Sequence, residues 1–319
     1  MKKIGVLTSG GDAPGMNAAI RAIVRSGISS GLEVYGIFDG YEGLVNNNIR
    51  RLERGDVSDI ITQGGTTLGS ARLEEFKLLE VRKKAVANLE KHGIEGLIVI
   101  GGDGSYRGAM ALSEMGINCI GIPGTIDNDI ASTDYTIGFD TALNTVILNV
   151  DKLRDTSSSH HRCSVVEVMG NRCGDLAIYA GITTGAEIII TKETGYDEAE
   201  VLERLRYFEE YKKKRHAIVI ISEKITDTEL LAQKISQHTD FSGRSTVLGH
   251  IQRGGSPTAR DRILATEFGD KAVQCLLAEE SSRCLGFVDG QIISIDIKEA
   301  LAMPKKSRRP FFELHDRLV

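Results

Sequence analysis

Residues 96–105 read GLIVIGGDGS, an unbroken apolar run that ends in glycines around a single aspartate. A run without alternating polar side chains is typical of a strand that is covered on both faces of a parallel sheet. Similar runs recur along the chain, each before a turn and a helical period; they are 4–7, 32–38, 118–122, 163–168, 186–190, 217–221 and 245–248. This repeated order predicts an α/β fold with mostly parallel sheets.

Apolar residues at helical spacing lie between these runs. The clearest helical stretches are 17–30, 73–92, 141–155 and 198–214. Three glycines stand where a left-handed C-cap belongs, namely Gly31, Gly93 and Gly116. The basic stretch 303–310 is expected to be a solvated connection.

Length and composition narrow the class of protein. The chain has 319 residues, which suits two lobes or one large α/β unit. Its 41% hydrophobic and 26% charged residues are typical of a folded globular protein. The net charge of −5 provides no overall positive field for nucleic acid or an anionic membrane, so an anion site must be local.

Cysteine usage and the apolar stretches bear on the compartment. The five cysteines form no C-x-x-C pair, and their odd number argues against a disulfide framework. The sequence has neither a signal-type apolar segment at its start nor a stretch of membrane-spanning length. We therefore expect a cytoplasmic protein that binds neither nucleic acid nor a membrane.

Two glycine-rich turns follow expected strands. Residues 8–17 read TSGGDAPGMN, where glycine allows a phosphate to approach the backbone and Pro14 suits a first helical turn. A tight turn with glycines for packing explains these letters equally well. In residues 101–105, Asp103 would oppose a phosphate unless a cation lies between them, so it is a candidate Mg²⁺ ligand. Its alternative role is a helix cap.

A third polar turn, residues 123–129, reads PGTIDND. If this loop is extended, Asp127 and Asp129 point the same way and repel each other unless a cation or a proton intervenes. Transfer of a phosphoryl group to an alcohol needs a base and a metal, and these carboxylates could divide those roles. An Asx turn is the alternative.

Basic residues further along the chain are suited to a phosphorylated substrate. They occur at 160–162, at Arg244 and at 250–255. Arginine offers a planar fork that matches phosphate, although each arginine taken singly is also explained as surface charge.

Taken together, five segments resemble the bacterial 6-phosphofructokinase family; they are 7–17, 101–105, 123–129, 169–175 and 248–257. The resemblance implies two Rossmann-like three-layer αβα lobes with mostly parallel sheets and a chain that crosses between them. It implies a nucleotide-binding lobe of 1–138 plus 251–301 and a sugar-phosphate-binding lobe of 139–250 plus 302–319. It also implies a homotetramer, a dimer of dimers, with sites shared between subunits.

By this resemblance the activity is ATP-dependent, allosterically regulated phosphorylation of the C1 hydroxyl of fructose 6-phosphate in glycolysis, giving fructose 1,6-bisphosphate and ADP. The implied ATP-binding residues are Gly11, Tyr41, Arg72, Leu73, Lys77, Arg82, Gly102, Asp103, Gly104 and Ser105, with Asp103 on Mg²⁺. The implied catalytic residues are Asp127, Arg72, Thr125 and Asp129. Asp127 would take the proton from the hydroxyl, while Arg72 and Mg²⁺ would offset charge on the γ-phosphoryl group.

The resemblance also implies a sugar site and an effector site. The sugar residues are Thr125, Ile126, Asp127, Arg162, Met169, Gly170, Asn171, Glu223, Arg244, His250, Ile251, Gln252 and Arg253, of which Arg162 and Arg244 would come from a neighbouring subunit. Phosphoenolpyruvate, the inhibitor, and ADP or GDP, the activators, would compete at the effector site. Its residues are Arg21, Ala22, Ile23, Val24, Arg25, Arg54, Arg154, Gly185, Ala186, Glu187, Lys212, Lys214, Arg215 and His216, with Glu187 holding the Mg²⁺ of the diphosphate.

This sequence departs from the family pattern at several positions. Asn171 stands where a charge is expected, Lys224 replaces a usual glycine, and Leu73 and Lys192 also differ. These departures leave open a catalytically weak nucleotide-sensing paralogue. A pyrophosphate-dependent phosphofructokinase is the other alternative, although its typical aspartate and lysine are replaced here by Gly104 and Gly124. An oxidoreductase is disfavoured, because no G-x-G-x-x-G follows a strand with an acidic residue about 20 positions on.

Overall fold

The protein is described as a computed structural model that covers every residue from Met1 to Val319. The strands are β1 (Lys3–Thr8), β2 (Glu33–Ile37), β3 (Ile49–Leu52), β4 (Gly96–Gly101), β5 (Asn118–Pro123), β6 (Arg162–Val168), β7 (Ile188–Ile190), β8 (Ala217–Ser222), β9 (Ser242–Val247), β10 (Arg283–Val288) and β11 (Gln291–Asp296). The helices are α1 (Met16–Ser29), α2 (Gly40–Val45), α3 (Leu79–His92), α4 (Asp103–Ser113), α5 (Phe139–Ser159), α6 (Asp175–Thr184), α7 (Glu198–Glu210), α8 (Thr228–His238), α9 (Ala259–Leu277), α10 (Ile297–Ala302) and α11 (Arg309–Leu318).

The backbone divides into two compact units. Unit 1 contains Met1–Ile126, Ile130–Thr141 and Arg253–Lys305. Unit 2 contains Asp127–Asp129, Ala142–Gln252 and Lys306–Val319. The lobes expected from the sequence, 1–138 plus 251–301 and 139–250 plus 302–319, are defined by the ligands they would bind, so that assignment stays a prediction.

Unit 1 is built on a seven-stranded sheet in the order β11-β10-β5-β4-β1-β2-β3. The central strands pair in parallel, and every residue of β4 is buried, as expected of a strand that is covered on both faces. Only the edge strands β3 and β11 run antiparallel to their neighbours. The prediction of an α/β fold with mostly parallel strands is confirmed.

Unit 2 contains a smaller, wholly parallel sheet in the order β7-β8-β6-β9. Asp197 and Asp227 cap the helices α7 and α8, where each side chain accepts hydrogen bonds from two backbone N–H groups of the first turn. The last helix, α11, packs on α6 through Phe311 and Tyr179, whose ring centroids lie 5.0 Å apart. None of the helices combines the length and the apolar character needed to cross a membrane.

Two local expectations were wrong. The helix predicted over 73–92 is divided, because Leu78 has an extended backbone (φ −81°, ψ 133°) between a short 3₁₀ turn at Glu74–Lys77 and α3. The stretch 303–310 is exposed as predicted except at Arg308, whose side chain is 16% exposed and bonds to the buried Asp175. That contact ties the start of α11 to the start of α6 within unit 2.

Asp261, on the first turn of α9, is buried in unit 1 and held by three hydrogen bonds. Its carboxylate accepts from the N–H of Gly138 at 2.9 Å, the N–H of Thr141 at 2.8 Å and the hydroxyl of Thr141 at 2.5 Å. Burial raises the pKa of Asp261 to about 6 against the opposing effect of these hydrogen bonds. The folded chain therefore retains a proton on this group between pH 4 and pH 6 that the unfolded chain loses.

This raised pKa predicts the sign of a stability change with pH. The stabilisation from the protonated carboxyl group is complete below the unfolded pKa and is lost as the pH rises through 6. Relative to Asp261→Asn, the free energy of unfolding of the native chain should therefore fall by about 1.4 kcal/mol between pH 5 and pH 8. Urea unfolding of both proteins across this range measures the difference, and a pH-independent difference would contradict the assignment.

Candidate active site

Unit 1 brings the three glycine-bearing turns of the sequence together at one edge of its sheet. The turns follow β1, β4 and β5, which are neighbours in the sheet and run parallel. The N–H of Ser9 donates to the carbonyl of Ile100 at 2.9 Å, and the N–H of Gly124 donates to the carbonyl of Gly101 at 3.1 Å. These carboxyl ends of adjacent parallel strands are where open α/β sheets bind their ligands.

Gly101 is required by the close approach of two of these turns. A Cβ atom at Gly101 would lie 2.4 Å from the carbonyl oxygen of Ser9 and 2.3 Å from the hydroxyl of Ser105. That hydroxyl donates to the carbonyl of Ser9 at 3.1 Å. Ser105 is thus buried and holds the turns together, so its expected contact with the nucleotide would be made by its backbone.

Asp103 is the first residue of α4, but it does not cap the helix. The N-cap is Gly102, and no side chain caps this end. The carboxylate of Asp103 forms no hydrogen bond or ion pair, and it flanks glycines, Gly102 and Gly104, whose added Cβ atoms would meet nothing within 4 Å. The helix start therefore combines free backbone N–H groups, open space and one available carboxylate, which fits a cation shared with a phosphate.

The first turn is shaped by an arginine from far along the chain. A Cβ atom at Gly11 would lie 1.9 Å from the guanidinium Nη1 of Arg253, so a side chain there would displace this arginine. Arg253 lies 3.9 Å from the carboxylate of Asp12 and is 20% exposed. Pro14 lies outside α1, whose N-cap is Gly15, so its expected place in the first helical turn is wrong. Arg253, expected on the sugar side, lies in unit 1 beside Gly11.

The remaining predicted nucleotide residues differ in exposure. Tyr41 is 5% exposed, its hydroxyl donates to the carbonyl of Ser105 at 2.6 Å, and its ring stacks on Phe76 at 4.2 Å. Tyr41 therefore mainly supports the turn at 101–105. Leu73 packs partly against the same core. The cations form no ion pair with an acidic side chain; they are Arg72, Lys77 and Arg82.

The 123–129 turn is not extended, which contradicts the premise that Asp127 and Asp129 point the same way. Ile126 and Asp127 lie in a turn, and Asn128 has a left-handed backbone with φ 51°. Asp127 is 9% exposed and Asp129 is half-buried. Ile126 is only 1% exposed, so its side chain belongs to the core and cannot contact a substrate. The carbonyl of Thr125 accepts from the Thr136 hydroxyl at 2.6 Å, which fixes the start of this turn.

Unit 2 assembles a second polar edge at the carboxyl ends of β6, β8 and β9. The carboxylate of Glu223 accepts from the N–H of Asn171 at 2.8 Å, and the Gln252 side chain accepts from the N–H of Met169 at 3.2 Å. Gly170 has φ 143°, and a Cβ atom there would lie 2.4 Å from the Cys173 carbonyl. These bonds connect the loop after β6 with the residues that follow β8 and β9. The predicted sugar residues Met169, Gly170, Asn171 and Glu223 therefore lie together.

A cavity of about 360 Å³ adjoins this loop. Asn171 and Glu223 line it, together with the cations Arg172, Lys192 and Lys224. Asn171 has φ 55° and Lys224 has φ 64°, a backbone region that asparagine tolerates better than most residues. The departures from the family pattern therefore lie mainly around one positively charged cavity.

The predicted residues His250, Ile251 and Gln252 follow β9 in a short 3₁₀ turn. His250 and Ile251 are exposed and available to a ligand. Gln252 is fully buried, with its side-chain oxygen on Met169 and its nitrogen on the carbonyl of Gly249 at 3.0 Å. Its expected contact with the substrate is therefore wrong for the side chain, which holds two loops in place.

Arg162 and Arg244 lie away from the loop at Met169. Arg162 begins β6 and Met169 follows its end, so about 20 Å of strand separates them. Arg244 lies opposite Ser164, near the middle of β6. Neither arginine therefore lies at the Met169 loop, where the other predicted sugar residues of unit 2 are found.

The predicted effector residues of unit 1 divide into two groups. Arg21 and Arg25 share one face of α1, and Arg54 donates to the Ser29 hydroxyl at the end of that helix at 2.6 Å. The residues between them, Ala22, Ile23 and Val24, are buried in the core, so their side chains cannot contact an effector.

In unit 2, Arg154 contacts several of the predicted effector residues or their neighbours. Its guanidinium donates to the carbonyls of Thr184 and Gly185 and lies 3.4 Å from His216. Burial, with the nearby cations Arg154 and Lys214 assisting, lowers the pKa of His216 against the opposing effect of Glu187, so this imidazole is neutral near pH 7.

The carboxylate of Glu187 already has two hydrogen-bond partners in unit 2. Glu187 is 1% exposed, and its carboxylate accepts from Lys214 at 2.7 Å and from the N–H of Ile218 at 2.6 Å. Holding a Mg²⁺ ion would require breaking the pair with Lys214, so the expected role of Glu187 as a metal ligand is not favoured. Ala186 is buried, and Lys212 and Arg215 are exposed.

Sequence reasoning missed two polar residues that support the candidate site, Asn128 and Asp175. Asn128 donates to the buried carboxylate of Asp175 at 2.8 Å. The available signal was the pair Gly174 and Asp175 before an apolar helical run, which marks a helix start but gives no indication of a partner.

Comparison with known proteins agrees with this arrangement. A phosphofructokinase family model matches residues 3–276. The chain is 57% identical over 319 residues to the ATP-dependent 6-phosphofructokinase of Photobacterium profundum, covering all of this chain and 99% of that protein.

Solved structures share the fold. Phosphofructokinase from Saccharomyces cerevisiae is 35% identical with a TM-score of 0.86, and the match covers all of this chain but only 47% of the yeast chain. A pyrophosphate-dependent phosphofructokinase from Marinobacter aquaeolei matches at a TM-score of 0.86 and 21% identity over 96% of this chain and 86% of its own, which shows a common fold alone. The family match over most of the chain and the high identity to a full-length relative establish that this chain belongs to the phosphofructokinase family.

Proposed function

We propose that this chain is an ATP-dependent 6-phosphofructokinase, a glycolytic enzyme that transfers the γ-phosphoryl group of ATP to the C1 hydroxyl of fructose 6-phosphate. The products are fructose 1,6-bisphosphate and ADP. The observation that carries the proposal is the convergence of three glycine turns at adjacent strand ends, with the uncommitted carboxylate of Asp103 at the start of α4.

Unit 1 would bind the nucleotide. The N–H groups at the start of α4 would donate hydrogen bonds to the phosphates, and the glycines Gly11, Gly102 and Gly104 would let the phosphates approach the backbone. Arg72 would supply positive charge to the transferring phosphoryl group, because it is exposed and has no acidic partner. Lys77 and Arg82 would hold the rest of the nucleotide.

Asp103 would hold the Mg²⁺ ion. The fit rests on its carboxylate, which has no protein partner, and on the open space at Gly102 and Gly104. Mg²⁺ favours one or two carboxylates and completes its coordination with phosphate oxygens and water. When bound, the ion would neutralise negative charge on the phosphates of the nucleotide.

Unit 2 would hold the sugar and supply the base. Glu223 and the loop at Met169 would orient the hydroxyls, and His250 would contact the 6-phosphate. Asp127 would accept the proton of the C1 hydroxyl as that oxygen attacks the γ-phosphorus, and Thr125, two residues earlier, would orient the phosphoryl group. Asp129, two residues further on, would supply a second carboxylate.

The alternative donor is pyrophosphate. Two observations favour ATP: the curated bacterial relative carries ATP in its name, and Gly104 leaves open space at the start of α4. A coupled assay that follows fructose 1,6-bisphosphate with ATP and then with pyrophosphate tests the choice. Turnover with pyrophosphate alone would overturn the proposal. Absence of turnover with either donor, with ATP still bound, would favour the nucleotide-sensing alternative suggested by Asn171.

We propose a homotetramer, a dimer of dimers, as the working unit. Arg162 and Arg244 lie too far along their strands to reach the Met169 loop of the same chain, so a neighbouring subunit would supply them to the sugar phosphate. The cytoplasm is the proposed location, consistent with five free cysteines, all buried.

The proposed effector site takes phosphoenolpyruvate as inhibitor and ADP or GDP as activator. Arg21, Arg25 and Arg54 would contribute from unit 1. Arg154, Lys212, Lys214, Arg215 and the neutral His216 would contribute from unit 2 of a neighbouring subunit. All these cations lie outside the candidate active site.

Arg25→Ala should abolish regulation without affecting the chemistry. We expect kcat at saturating fructose 6-phosphate to stay within about twofold of the native value, while inhibition by phosphoenolpyruvate and activation by ADP fall by about tenfold or more, the scale of typical coupling energies. Arg317→Ala is the matched control, since Arg317 is an exposed arginine on the last turn of α11. Steady-state titrations measure both effects, and native effector curves in Arg25→Ala would show that this arginine is surface charge.

A further inference from the structure

A buried polar relay in unit 2 joins the end of the chain to the loop that carries the candidate base. The guanidinium of Arg308 donates to both oxygens of Asp175, from Nε to Oδ1 at 2.7 Å and from Nη2 to Oδ2 at 2.6 Å. The side chain of Asp175 is 0% exposed and that of Arg308 is 16% exposed. Asn128, directly after Asp127, donates its Nδ2 to the same Oδ2 atom at 2.8 Å.

The chemistry of these groups fixes the orientation of Asn128. An ionised carboxylate only accepts hydrogen bonds, so the amide nitrogen and not the amide oxygen must face Asp175. Asn128 is 4% exposed and holds φ 51°, so both its side chain and its backbone are constrained. Its backbone carbonyl also faces the thiol of Cys173, at 3.9 Å, in the loop that precedes α6.

Stability alone gives a poor account of this arrangement. A buried ion pair gains little over well-packed apolar residues of similar volume, because both ions must lose their hydration. The pair is instead placed so that Oδ2 of Asp175 also accepts from the side-chain amide of Asn128, the residue next to Asp127. Arg308 presents a planar fork that locks this carboxylate in a single orientation.

We propose that Arg308, acting through Asp175 and Asn128, is a positioning residue for the candidate base Asp127. The inference rests on the proposed function, since it assigns Asp127 the transfer of the hydroxyl proton. A displacement of about 1 Å at a reacting group can cost about 10²-fold in rate, so a relay that fixes the neighbouring residue controls turnover. The end of the chain thereby acts on catalysis without contacting substrate.

Asn128→Gly tests the last link without disturbing the ion pair. Glycine accepts the left-handed backbone and removes the amide that bonds to Asp175. We expect kcat to fall by about tenfold or more, while KM for ATP stays within about twofold because the nucleotide residues lie in unit 1. Hydrogen exchange of the amides at 124–130 should accelerate.

Variants of Arg308 test the first link. Arg308→Ala should reproduce the loss of kcat and the faster exchange at 124–130, and Arg308→Lys should recover only part of each, since lysine keeps the charge but lacks the fork. Arg309→Ala is the matched control. Arg309 is the next residue, its side chain is 83% exposed, and its ion pair is with Glu313 on the same helix. It should behave like the native chain.

The exchange readout separates this inference from the proposed function. If native protein does not phosphorylate fructose 6-phosphate, the proposed function fails, whereas exchange at 124–130 still reports whether the relay orders the loop. The proposal would be overturned if the amides at 124–130 of Asn128→Gly exchanged at the native rate. A kcat of that variant within twofold of the native value would also overturn it. If Arg308→Ala does not fold, Asn128→Gly decides the question alone.

Discussion

Asp127→Asn is expected to lower kcat by about 10²- to 10⁴-fold, the usual scale for removal of a general base. Asparagine keeps the shape of the side chain and lacks the basic oxygen, so the substrates should still bind. Asp127 is 9% exposed and lies in a tight turn, where the isosteric replacement fits without new atoms. We therefore expect KM for ATP and for fructose 6-phosphate to stay within about threefold of the native values.

Steady-state kinetics and binding of fructose 6-phosphate to the variant measure the two expectations separately. Asp151→Asn is the matched control, because Asp151 is an exposed carboxylate on α5 in the same unit. Asp129→Asn identifies which carboxylate is the base, and it should reduce kcat by less than Asp127→Asn does. Turnover of Asp127→Asn near the native rate would contradict the assignment, and a greater loss in Asp129→Asn would transfer it to Asp129.

The central part of the fold was predictable because its strands carry an unambiguous signal. β1, β4 and β5 are short, continuous apolar runs that end in glycine turns, a pattern typical of parallel strands that are buried on both faces. The edge strands β3 and β11 gave no such signal. β3 contains Arg50 and Arg51, and β11 is only half-buried, so neither shows the run of a covered strand.

Ligand-facing and core residues could not be separated by position in a motif. Ala22, Ile23 and Val24 lie between Arg21 and Arg25 in the sequence, but a helix turns them toward the core while the arginines stay at the surface. Gln252 lies in a polar, glycine-rich segment, but its side chain makes two hydrogen bonds to backbone groups, the N–H of Met169 and the carbonyl of Gly249. Burial decides such roles, and it depends on contacts distant in sequence.

The relay at Asp175 shows why polar partners are hard to predict. Arg308 and Asp175 are 133 positions apart, and each has an ordinary local explanation, as a charge in a basic stretch and as an acidic residue at a helix start. Nothing in either local pattern selects the other. The 123–129 turn was misread for a similar reason, since Asn128, which has a left-handed backbone, bonds through its side chain to that distant carboxylate.

Gly104→Asp is expected to lower kcat/KM for ATP by about 10²-fold or more. Gly104 is the second residue of α4, and a Cβ atom there meets nothing within 4 Å, so the fold accepts a side chain. A carboxylate in the first turn of a helix is even favourable for the helix itself. The loss should arise in binding, because the added charge lies beside Asp103 where the phosphates would bind, and a juxtaposition of like charges costs several kcal/mol.

Gly104→Asn separates charge from size in this position. Asparagine has the shape of aspartate without its charge, so kcat/KM for ATP should fall far less in Gly104→Asn, and KM for fructose 6-phosphate should be close to native in both variants. Equal losses in the two variants would mean that side-chain volume, and not repulsion, governs the site. Native kinetics in both would show that the polyphosphate does not bind at the start of α4, which would remove the main support for Asp103 as the cation ligand.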